Sequence, residues 1–127
     1  MALILVVDDD PGVVVSVCAI LHSRGHETVA VSDGEQALAA LGAGNFDLVV
    51  TDVWMPGLDG VEILKKLRRS HPGLPVIVLT GGSPGAPLAY GASLAAAFGA
   101  TAILYKPFEK EDLIAAMERS LPPVTDQ

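Results

Sequence analysis

Short apolar runs recur along the chain, and the clearest of them show no alternation with polar positions. Leu3-Ile4-Leu5-Val6-Val7 is the first, the pattern expected of a strand covered on both faces. It stops abruptly at Asp8-Asp9-Asp10. Pro11 suits the first position of a helix with Asp10 as its N-cap, and Val14, Val17, Cys18 and Leu21 continue at helical spacing to Gly25. Thr28 to Val31 reads as a weaker second strand. Ser32 and Glu35 then stand at capping-box spacing before Ala37, Leu38 and Leu41, with Gly42 and Gly44 stopping that helix. Leu48 to Thr51 is the third strand, and it leads through Asp52 into the Pro/Gly-rich turn Met55-Pro56-Gly57-Leu58-Asp59-Gly60.

Val61, Leu64 and Leu67 mark one face of a third helix, closed by Pro72-Gly73. Val76 to Leu79 is a fourth buried strand that delivers Thr80 to its carboxyl end, ahead of a Gly/Pro loop from Gly81 to Pro87. A fourth helix over Leu88 to Phe98 rests on alanine propensity and contains Gly91. Ala102 to Tyr105 is the fifth strand, and a fifth helix runs from about Lys110 to Leu121 before Pro122-Pro123. Strands alternating with helices through short connections predict an α/β fold, a parallel sheet with helices on both faces.

Composition narrows the class. A chain of 127 residues, half of them apolar and 18% charged, suits one folded domain and argues against disorder. The expected division is a domain over 1–122 and a polar tail or start of a linker over 123–127. No apolar run is long enough to span a bilayer, and Met1 to Leu5 lacks the basic start of a signal peptide, so the expectation is a cytoplasmic protein without membrane association. A net charge of −7 disfavours direct nucleic-acid binding. Four of the eight basic residues, Lys65, Lys66, Arg68 and Arg69, fall together and read as a solvated helix face. Cys18 reads as a small buried hydrophobe, and His22, His26 and His71 are assigned no chemistry.

The candidate chemistry lies at the strand ends. Asp8 and Asp9, Asp52, Thr80 and Lys106 each follow or finish an apolar run, and a parallel sheet carries them to one rim whatever their separation in sequence. Three carboxylates gathered there repel unless a cation intervenes. Few protein ligands, all hard oxygens, suit Mg²⁺ with retained waters, or Mn²⁺ in its place. A carboxylate beside such a metal, a lysine and a hydroxyl is equipped to accept a phosphoryl group and hold it as an acyl phosphate. No residue reads as a general base poised to hydrolyse that product. A covalent mark fits this set better than turnover, so the chain is not expected to be an enzyme.

Leu5-Val6-Val7-Asp8-Asp9, Asp52 followed by Met55-Pro56 and Asp59-Gly60, Leu79-Thr80, and Lys106-Pro107-Phe108 together resemble a receiver domain of a two-component response regulator, of the chemotaxis-regulator kind. The resemblance spans essentially the whole chain. It implies a three-layer flavodoxin-like fold with strand order 2-1-3-4-5 and five helices. It also implies that Asp52 is the phosphoacceptor and that Asp8, Asp9, Asp52 and the backbone carbonyl of Trp54 hold Mg²⁺. Thr80 and Lys106 would contact the phosphoryl group, and the peptide bond before Pro107 would be cis. Such domains take the phosphoryl group from a phosphohistidine on a sensor histidine kinase or a histidine phosphotransfer protein. They signal to a downstream effector or output domain through the surface of the fourth helix, fifth strand and fifth helix, and dimerisation is compatible with this role.

Two features depart from that pattern, the aromatic switch position and the link from Thr80 to Lys106, which is a few residues longer than the family norm with the surplus in the Gly/Pro loop. Many receivers carry an aromatic switch residue three positions before the lysine, where this chain has Ile103; Tyr105 is aromatic, on the same strand face, and nearer the site. Thr80, Ile103 and Tyr105 are therefore the candidate switch positions, with the Gly81 to Pro87 loop as a second carrier of the response. Trp54 is a bulky residue placed to shield an acyl phosphate. A phosphorylation-independent binding module is the alternative reading. A flavodoxin-like cofactor binder fits poorly, since the first loop offers carboxylates, and a phosphatase lacks a second acid at Trp54.

Overall fold

In the computed structural model the described residues are 2–52, 60–80 and 99–121. Leu3–Val7 forms β1 and Pro11–Ser23 forms α1, whose N-cap Asp10 accepts a hydrogen bond from the Gly12 N–H at 2.9 Å. Gly25 follows with φ of +83°, a conformation that releases the chain from the helix. β2 spans Glu27–Val31 and α2 spans Gly34–Ala43. The cap of α2 differs from the expected Ser32 and Glu35 pair by one position. Asp33 caps the Gln36 N–H at 2.8 Å, and the Gln36 side chain reaches back to the Ser32 N–H at 3.0 Å. The carboxylate is the stronger acceptor for the exposed helix amides.

β3 is Leu48–Asp52, α3 is Gly60–Ser70, β4 is Val76–Thr80, β5 is Ala102–Tyr105, and the last helix, α4, is Lys110–Ser120. All pairings are parallel, in the order β2-β1-β3-β4-β5. This is the expected flavodoxin-like sheet. Four helices lie among the described residues; the expected helix over Leu88 to Phe98 falls outside them, as do Trp54, the Gly81 to Pro87 loop and the tail from Pro122.

The absence of alternation in the strand sequences has its cause in the layers. Ile4, Val6, Leu48, Val50, Ile77 and Leu79 pack against Val17 and Leu21 of α1 and Leu113, Ala116 and Met117 of α4. Leu5, Val7, Val49, Val76 and Val78 pack against Ala37 and Leu41 of α2 and Leu64 and Leu67 of α3. Both faces of β1, β3 and β4 are thus dry. β2 is the weaker strand because it lies at the sheet edge, where much of it is exposed.

Three side chains do structural work that their sequence positions do not announce. Arg68 donates to the carbonyls of Pro72 and Leu74 at 2.8 and 2.9 Å, binding the end of α3 to the start of β4, so the basic cluster is only partly a solvated face. Lys66 and Arg69 are exposed. Cys18 is half-buried against the α1 side of the core. His26 accepts the Ala2 N–H at Nδ1 (3.0 Å), while Asp47 accepts the Leu3 N–H (2.8 Å), so two loops pin the start of β1.

An Nδ1 that accepts must be unprotonated. Burial and the positive amino terminus lower the His26 pKa below 6.5, against the opposing pull of Asp47. Unfolded chains therefore bind the proton more readily than folded ones between the lowered value and 6.5. Stability should be complete above that window and decline as pH falls through it. Urea midpoints at about pH 7.5 and about pH 5.5 should differ less for His26→Asn than for the unsubstituted chain; equal differences would remove His26 from the account.

Candidate functional site

Strand register builds the site. β1 pairs with β3 up to Val7↔Thr51, so Asp8 and Asp52 are the next residues on neighbouring strands. Side chains alternate, which turns both carboxylates to the face shared by α1 and α4. Asp8 and Asp52 are buried, whereas Asp9 is exposed. One carboxylate oxygen from each of Asp8, Asp9 and Asp52 lies within 4.8 Å of the others. The sequence-derived trio is therefore brought together.

Lys106 answers the charge. Its Nζ donates to Asp8 Oδ2 at 3.0 Å and to Asp52 Oδ2 at 3.1 Å, with its side chain 23% exposed. The other oxygen of Asp8 accepts the Asp10 N–H at 2.9 Å, which joins the acid to the first turn leading into α1. Burial pulls the Lys106 pKa down, but the hydrogen bond to Asp8 and the charge of Asp52 outweigh it, and the net shift is upward. The ammonium is held charged at neutral pH. The Lys106 N–H also donates to the Thr80 carbonyl at 2.8 Å, and the Lys106-Pro107 peptide is cis.

Thr80 reaches the rim by its backbone, yet its side chain takes the other face. It stands in register with Tyr105, one residue beyond the Asp52↔Leu79 pair. Thr80 is fully buried, and its Oγ1 is the one buried side-chain polar atom without a hydrogen-bond partner among the described residues. Ile103 is half-buried against the α2 and α3 side of the core, and Tyr105 is 48% exposed. Tyr105, with Ile103, Leu104, Phe108, Asp112, Ala115 and Arg119, lines a shallow groove of about 280 Å³ between β5 and α4. A second groove, about 310 Å³, runs from Asp8 and Asp9 along Pro11, Val14 and Val15 of α1 to Ser32 and Gln36. Trp54, the expected carbonyl ligand, lies outside the described residues.

The donors fit the expected cation. Carboxylate oxygens are hard, three of them converge, and two are buried where their repulsion is least screened. Sequence reasoning missed the Asp10 N–H and the direct Asp8–Lys106 pair; the signal available for the first was the run of three acids ahead of a helix-starting proline.

The family model of the response regulator receiver domain matches residues 4–118. The chain belongs to that family, whose members are phosphoacceptor regulatory domains of phosphorylation-based signalling switches and bind Mg²⁺ at an acidic pocket. Among curated proteins it is similar to the transcriptional regulatory protein TcrA of Mycobacterium tuberculosis, 40% identical over 114 residues that make up 90% of this chain and 44% of that protein. Among solved structures it resembles the receiver domain of NtrX from Brucella abortus, with a TM-score of 0.85, 38% identity, and 93% and 97% of the two chains covered. It also resembles the chemotaxis response regulator CheY4 of Vibrio cholerae, with a TM-score of 0.84, 34% identity, and 95% and 99% covered. The chain spans about half the length of curated relatives such as TcrA, MtrA and FixJ. No described helix is long and apolar enough to cross a membrane.

Removing the ammonium should expose the repulsion it balances. Lys106→Met is expected to lose about 2 kcal/mol at neutral pH in chelator, the scale of a hydrogen bond to a charged group, with a smaller deficit when Mg²⁺ is present. Because the Lys106 pKa is raised, its contribution is complete at neutral pH and fades only as pH climbs through that raised value. Urea unfolding with and without Mg²⁺ measures this. Equal deficits in both conditions would mean that the lysine does not balance the charge that the metal meets.

Proposed function

We propose that the chain is a phosphorylation-dependent signalling switch that accepts a phosphoryl group from phosphohistidine onto Asp52 with Mg²⁺, or Mn²⁺ in its place. The observation that carries this reading is the Lys106 ammonium held between Asp8 and Asp52 where three carboxylates converge. An Asp52 oxygen attacks phosphorus, the P–N bond to the donor imidazole breaks, and the leaving nitrogen keeps the electron pair and takes up a proton. The product is an aspartyl phosphate. Asp8, Asp9, Asp52 and the Trp54 carbonyl would hold Mg²⁺, which would supply positive charge for the phosphoryl oxygens.

The chain's own groups do the rest. Lys106 can turn from the Asp52 carboxylate to a phosphoryl oxygen without leaving Asp8, since it already contacts both. Thr80 supplies a hydroxyl with no other partner among the described residues, and its turn from the α2 and α3 face to the phosphoryl group is the switching event, read out at Tyr105 and Ile103 on the surface of β5, α4 and the expected helix over 88–98. The domain over 1–122 is regulatory and not an enzyme, assisting its own phosphorylation and slow dephosphorylation in the cytoplasm. Its partners are a sensor histidine kinase or histidine phosphotransfer protein on one side and an effector or output domain on the other. The negative net charge leaves direct nucleic-acid binding to other partners, and dimerisation through the switched surface fits the same role.

Labelling decides the matter. With Mg²⁺ and either a phosphohistidine donor or a small-molecule phosphodonor, the unsubstituted chain should take up one acid-stable, base-labile phosphoryl group, Asp52→Ala should take up none, and chelator should abolish uptake. An unlabelled native chain under both donors would establish the phosphorylation-independent binding module instead.

A further inference from the structure

Thr51 precedes Asp52 in β3 and is fully buried. It stands in register with Val7 and Val78, on the face packed by α2 and α3, among apolar side chains. A hydroxyl in such surroundings is costly unless it is bonded. This one donates to the main-chain oxygen of Asp52 at 3.0 Å. The bonded oxygen belongs to the peptide that joins Asp52 to everything after it. Support from the sheet is thinning there: β1 pairs with β3 only to Thr51, and Asp52 keeps a register partner on β4 alone.

We infer that Thr51 is a positioning residue for the acidic pocket, its hydroxyl fixing the main-chain carbonyl of Asp52 and hence the orientation of Asp52 among the three carboxylates. The step from pocket geometry to phosphoryl uptake rests on the function proposed above; the step to cation binding does not. A valine would fill the same space among Val7 and Val78 and lack only the donor. Serine would keep the donor and lose the methyl group. The pair therefore separates the hydrogen bond from the packing.

Trp54, the single tryptophan, lies two residues beyond Asp52 in the sequence, and Mg²⁺ binding is to be followed by its fluorescence and by isothermal titration calorimetry. Thr51→Val should melt close to the native chain yet bind Mg²⁺ roughly tenfold more weakly, the scale seen when a group that orients a metal ligand is removed. Thr51→Ser should stay near native affinity. At subsaturating Mg²⁺, uptake from a small phosphodonor should slow in Thr51→Val and recover as Mg²⁺ is raised. Equal Mg²⁺ affinity in Thr51→Val and the native chain would overturn the inference, leaving a hydroxyl that merely satisfies itself. Equal losses in the valine and serine variants would overturn it too, since the methyl group would then be the cause, as would a native chain that binds no Mg²⁺. A native chain that binds Mg²⁺ but takes up no phosphoryl group would refute the proposed function, while the titration would still decide the role of Thr51.

Discussion

Like charges forced onto one rim are the constraint from which the rest of this site follows. Parallel pairing of β1 and β3 leaves Asp8 and Asp52 side by side with no freedom to separate, because each is the continuation of a strand buried on both faces. Lys106 meets that repulsion from far along the chain, 98 residues from Asp8 and 54 from Asp52. Its two ion pairs tie the last strand of the sheet to the central ones. Asp8 in turn holds the Asp10 N–H, and Asp10 caps α1, so one buried acid is tied by hydrogen bonds to the start of a helix. Sheet edge, sheet centre and helix cap become parts of one electrostatic unit.

The chain's relation to other receiver domains lies in this unit more than in the surface that would report on it. Asp8, Asp9, Asp52 and Lys106 converge on one rim, whereas the Thr80 side chain takes the opposite face of the sheet. Ile103 is anchored against the α2 and α3 side of the core, while Tyr105 is half exposed and in direct register with Thr80. Anchoring and display are thus divided between two side chains on one face of β5.

Much of this was legible before any coordinates. Strands dry on both faces leave uninterrupted apolar runs, and parallel topology sends their carboxyl ends to one rim, so the sheet order and the gathering of Asp8, Asp9, Asp52 and Lys106 follow from pattern and motif together. Alternation within a strand was the harder part. Thr80 shares the rim with Asp52 but not its face, a distinction that depends on where each strand's register begins. The cap of α2 was displaced by one residue because Ser32 and Asp33 are both competent caps and the carboxylate is the stronger acceptor. Arg68, His26 and Thr51 were silent for a common reason: each bonds to the backbone, and every residue offers a backbone.

Among the described residues the Thr80 hydroxyl has no partner, and this carries an energetic consequence. A buried donor left unsatisfied costs about 1 to 3 kcal/mol, and the protein carries that cost whenever nothing stands within reach of Oγ1. Any arrangement that brings an acceptor to it starts with that much in its favour, roughly fivefold to a hundredfold in population.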